Sequence, residues 1–174
     1  GYTIAIRIII FSILPSWGLS NATATLVGQN LGAKKPERAE ITVWKAGRYN
    51  MIFLLMLSVL FLLAAKQICG FFTNDTTVIR EAVLCLMIIS TGYIFYAYQM
   101  IISQAFNGAG DTATPTKLNF VFMWLIQIPL AYFLSYYTAL ESRGVYVSIS
   151  LSSVLLTIVA VYIFRKGNWK KVKV

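Results

Sequence analysis

The chain has 174 residues, 58% of them hydrophobic and 12% charged, with a net charge of +9. A soluble domain carries about 25% charged residues, and a chain this small cannot bury nearly every segment in one aqueous core, so ordinary soluble enzymes are excluded. The basic residues stand at the ends of apolar stretches and not along one face, which excludes a nucleic-acid surface; there is no His, and Cys69 and Cys85 form no CxxC, so no metal site is expected.

Five stretches contain no Asp, Glu, Lys or Arg: residues 8–33, 49–65, 82–110, 118–140 and 144–164. About 20 helical residues cross the hydrocarbon core of a bilayer. The short second stretch is flanked by Arg48 and Lys66, which can snorkel to the two interfaces. The fold class is therefore all-α: a polytopic transmembrane helical bundle. Its spans are predicted at about 4–33, 42–67, 77–107, 112–138 and 143–165, with a basic tail over 166–174. Pro15 in the first span and Pro129 in the fourth each remove a backbone donor and predict a kink.

The connections carry their own marks. Pro36 fits the first position of the second helix, with Glu37 and Glu40 placed to favour its dipole. Asn74-Asp75-Thr76 reads as a helix-capping turn, and also matches a glycosylation sequon. Gly108 and Gly110 end one helix, and Asp111 caps the next. Eleven basic residues fall in the first loop, near the 108–115 loop or in the tail; four (Arg7, Lys66, Arg80 and Arg143) fall at the other side. The positive-inside rule then predicts a multi-pass protein of the plasma (inner) membrane with its C-terminus in the cytoplasm.

Two stretches carry most of the remaining information: Val27-Gly28-Gln29-Asn30-Leu31-Gly32-Ala33, and Gly108-Ala109-Gly110-Asp111-Thr112-Ala113-Thr114-Pro115. Both resemble the multidrug and toxic compound extrusion (MATE) transporters, as do Ile128-Pro129-Leu130-Ala131-Tyr132 and Gly167-Asn168-Trp169. One departure is Ala113, where many members carry a basic residue. The resemblance implies helices eight to twelve of a twelve-helix, two-lobe transporter, lacking the N-terminal lobe and helix seven. It implies no catalytic residues and no cofactor, and secondary antiport that exports organic cations or drugs in exchange for Na+ or H+. The family motifs supply structural candidates: Gly28, Gln29, Gly32, Gly108, Gly110, Asp111, Thr112 and Pro115. Gly28 and Gly32, four residues apart, share a helix face suited to close approach. The stretch is not a P-loop, because its glycine spacing is wrong.

Transporters of this kind bind near the midplane between two halves, so polar residues within spans are the substrate-path candidates. Tyr93, Tyr96, Gln99 and Ser103 form a polar run in the third span, with Tyr96, Gln99 and Ser103 on one face. Trp124 and Gln127 recur in the fourth, near Asn119. Tyr and Trp faces suit a flat cation. All six acidic residues lie near span ends or in loops, so a coupling carboxylate is expected in the N-terminal lobe. Two other readings are a lipid-linked saccharide flippase, which needs basic residues in its cavity for pyrophosphate, and a non-transporting membrane subunit.

Overall fold

The computed structural model describes residues 1–172; Lys173, counted above with the basic tail, lies outside the described residues. The described chain is helical throughout: α1 Tyr2–Gly32, α2 Pro36–Gly70, α3 Thr76–Thr91, α4 Tyr93–Gly108, α5 Ala113–Asn119, a π-helical segment Phe120–Gln127, α6 Ile128–Tyr137, α7 Ser142–Arg165 and a 3-10 turn Asn168–Lys171. Helices α1, α2 and α7 and the continuous run Ala113–Tyr137 are each long and apolar enough to cross a membrane. Together α3 and α4 make a fifth, bent by 59°. The protein is a multi-pass membrane bundle.

The boundaries follow local chemistry. Pro36 opens α2, where its missing N–H costs nothing. The Asp75 carboxylate caps α3, accepting from the backbone N–H groups of Thr77 at 2.9 Å and Val78 at 3.3 Å. Asp111 does the same ahead of α5: one carboxylate oxygen accepts from Thr114 N–H at 3.1 Å, the other from the Thr114 hydroxyl at 2.6 Å.

The sharpest break falls at neither proline. Helix α1 runs unbroken through Pro15. The sharp bend is at Gly92, in the middle of the stretch 77–107 that reads as one span. Neighbouring helices brace it with four side-chain donors. Ser150 of α7 donates to the Ile88 carbonyl at 3.0 Å and Ser58 of α2 to that of Ser90 at 2.9 Å. Thr157 of α7 donates to the Phe95 carbonyl and Asn50 of α2 to that of Ala97, each at 3.0 Å. Donors from neighbouring helices hold a bend in place at membrane depth, where no water can do so. The π-helical segment closes at Gln127, two residues before Pro129, so the proline falls where the helix is already changing register.

Two apolar cores fill the bundle. One gathers Ile8, Ile13, Leu54, Phe61, Cys85 and Leu86 around Tyr93; Cys69 is buried there too. The other gathers Val27, Val43, Ile101, Phe106, Leu156 and Phe164 around Trp169. Between them, in the numbering of four helices, lie buried polar residues: Ser16 and Ser20 on α1, Asn50 on α2, Gln99 on α4, Ser148 and Ser152 on α7. The molecule thus has a polar waist between two hydrocarbon halves.

The tail folds onto the second core. Trp169 is 1% exposed, stacks on Phe164 with centroids 4.7 Å apart, and donates its indole N–H to the Phe164 carbonyl at 3.0 Å. Lys170 pairs with Glu40, and the Arg165 guanidinium lies 5.7 Å from the Trp44 ring. The end of α7 is thereby fastened to α2.

Candidate functional site

The cavities grow from the geometry of α4. Its spacing puts Tyr96, Gln99 and Ser103 on one face, which turns toward α1 and the π-helical segment. They line one cavity of about 350 Å³ with Trp17, Ser20, Asn21 and Asn119. A second cavity of about 260 Å³ lies beside it, lined by Tyr93, Tyr96 and Gln127 with Ile13 and Ser153. Tyr96 and Met123 belong to both, so the two lie side by side against α1, α4 and the π-helical segment, the second also reaching α7. No charged side chain lines either cavity.

Two buried acceptors in this path lack any protein partner. Gln99 is 5% exposed and its Oε1 takes no hydrogen bond. Tyr93 is 2% exposed and its hydroxyl is likewise unpartnered. A buried polar atom left in this state is costly.

Five of the six substrate-path candidates meet here. Trp124 does not: it is 64% exposed and lines neither cavity. Asn119, Met123 and Gln127, each four residues apart, hold the cavity-facing line, and Trp124 stands one residue off it. Tyr98, part of the same polar run, faces the other way: its ring packs on Gly47, where an added Cβ would come within 2.7 Å of it. The residues sequence reasoning missed come from α1 and α7, namely Trp17, Ser20, Asn21, Ser150 and Ser153. Their only signal is polarity inside charge-free stretches.

The motif residues assemble at the end of the bundle near the tail. A Cβ on Gly108 would lie 2.1 Å from the Ala24 carbonyl oxygen, and one on Gly28 would lie 3.1 Å from the Gly108 carbonyl oxygen. The two motifs therefore touch backbone to backbone, where α1 crosses α4. Gly32 takes no part, because a Cβ there meets nothing within 4 Å, which corrects the expectation of close approach at that position. Both motifs also end in the same cap. Asp111 N–H reaches the Phe106 carbonyl at 2.9 Å over Gly110, whose φ is +84°. Lys35 N–H reaches the Asn30 carbonyl at 2.8 Å over Lys34, whose φ is +57°. Pro115 is buried, whereas Gln29 and Thr112 are exposed.

The family model MatE matches residues 1–133. The chain belongs to the MatE family. This MatE chain is 24% identical over 171 residues to a probable multidrug resistance protein NorM of Thermotoga maritima, covering 98% of this chain and 37% of that protein. It is 26% identical over 158 residues to the probable multidrug resistance protein YoeA of Bacillus subtilis, covering 91% of this chain and 34% of that one. It thus spans just over a third of the length of the relatives it matches. A crystal structure of MATE in the bent conformation superposes with a TM-score of 0.89 at 24% identity, over 98% of this chain and 38% of that one. An outward-facing multidrug resistance MATE family transporter of the MOP superfamily gives the same TM-score and identity over 98% and 39%. These likenesses establish the fold: a MatE helical transmembrane bundle, of which this chain is a part.

Proposed function

We propose that this MatE chain is helices eight to twelve of a two-lobe secondary transporter that exports organic cations or drugs in exchange for Na+ or H+. The reading rests on one observation above all: the adjoining cavities, charge-free and lined by Tyr93, Tyr96, Gln99, Ser103 and Gln127. Aromatic faces and neutral oxygen acceptors hold a delocalised cation without a permanent ion pair, so it can be released again. The names of the curated relatives, two of them multidrug resistance proteins, support the same substrate class. A flippase for pyrophosphate-linked lipids would need basic residues where these cavities have none. The second lobe closes the path from the open side, and the exposed face of Ala113–Tyr137 takes lipid or that lobe.

The test uses the full-length protein in proteoliposomes loaded with a fluorescent organic cation. An imposed Na+ gradient and an imposed pH gradient are applied separately. Dye movement driven by one gradient assigns the coupling ion. Movement insensitive to both would overturn antiport, and no movement with a folded protein would overturn the substrate class.

A further inference from the structure

At the end of the bundle away from the tail, α2, α3 and α7 leave an open groove of about 450 Å³. Ile79, Val83 and Leu84 floor it, and Lys66, Arg80 and Arg143 rim it. Among the described residues four basic side chains stand at this end, and three of them converge on this groove. No acidic side chain lines it. Among the described residues, none of the three cations is in an ion pair, and none lies over an aromatic ring. The nearest candidate counter-charges are engaged elsewhere or open to solvent: Asp75 caps α3, Glu81 accepts from the Ser142 hydroxyl at 3.2 Å, and Glu141 is exposed.

Three cations around a groove with no acidic side chain in its wall favour an anion there. The charges lie at the helix ends, whereas Val83 and Leu84 lie about one turn further along α3, toward the middle of the span. A ligand for this groove therefore needs an anionic head and a hydrocarbon body. Thr76, at the start of α3, adds a hydroxyl donor at the rim. We propose that the groove binds an anionic phospholipid, its phosphate among Lys66, Arg80 and Arg143 and one acyl chain along Val83 and Leu84. The site lies outside the substrate path and shares no residue with it.

The experiment uses the purified full-length protein in detergent, with phosphatidylglycerol, phosphatidylcholine and inorganic phosphate as separate probes. Native mass spectrometry counts retained lipid, and thermal melting reports stabilisation. Phosphatidylglycerol should bind and raise the melting temperature; phosphatidylcholine and inorganic phosphate should do neither at equal concentration. Each of Lys66→Gln, Arg80→Gln and Arg143→Gln should weaken phosphatidylglycerol binding about fivefold. Arg7→Gln, at the same end but outside the groove, should leave it unchanged. All three positions are exposed, and melting without lipid checks that each variant folds. Equal binding of phosphatidylcholine would overturn the proposal, as would a loss for Arg7→Gln matching the groove variants. Inorganic phosphate reproducing the full effect would make this a free-anion site and overturn the lipid.

Discussion

Gln99 is the residue on which the substrate path turns. Its Oε1 has no partner, so replacing it by an apolar side chain removes a cost instead of a bond. In the full-length protein, Gln99→Leu is expected to leave membrane abundance and melting temperature unchanged or raised. Efflux per molecule is expected to fall several-fold. Measuring both on the same preparation separates this from a structural role, which would lower abundance and leave efflux per molecule intact. Gly108 is the opposite case. An alanine there places a methyl 2.1 Å from the Ala24 carbonyl oxygen, and a backbone neighbour cannot swing away. Gly108→Ala should destabilise by about 1–3 kcal/mol or more, read as a drop in melting temperature, with Gly32→Ala as the harmless comparison. The contrast marks what sequence can tell at this scale. Spacing placed Tyr96, Gln99 and Ser103 on one face because the period of a helix is fixed. It placed Gly28 and Gly32 together too, yet only Gly28 meets a neighbour, since close approach depends on where another helix crosses.

Five charge-free stretches were legible as membrane elements because hydrocarbon excludes charge over a known thickness. The bend at Gly92 was not legible. It is held by Asn50, Ser58, Ser150 and Thr157, residues 32 to 62 positions away from the carbonyls they brace. Pro15 sits inside α1 without ending it. The helix ends supply a prediction with two signs. Lys34 and Gly110 occupy equivalent left-handed positions in equivalent caps. A side chain costs roughly 1 kcal/mol in that conformation. Lys34→Gly should therefore raise the melting temperature and Gly110→Ala should lower it by a similar amount. Movement in the same direction for both would show that the caps are not equivalent.

For the molecule as a whole, the distribution of basic residues predicts a cytoplasmic C-terminus. With Cys69 and Cys85 replaced, single cysteines at Ala113 and Asn168, both exposed, should resist a membrane-impermeant thiol reagent in intact cells and react once the membrane is opened. Labelling from outside would invert the topology. Residues 1–174 expressed alone should give no efflux, because the path is open along the side a second lobe would cover; resistance equal to the full-length protein would sink that reading. The polar waist has a mechanical meaning. Interlocked hydrocarbon resists deformation, since every shift opens a void. Hydroxyl and amide groups can trade one partner for another with little change in energy. Ser16, Asn50, Gln99 and Ser152 each keep an unclaimed lone pair, like spare notches on a ratchet. A tilt of one half of the bundle against the other would therefore cost least at this middle, where re-pairing can accompany it while the hydrocarbon on either side stays packed.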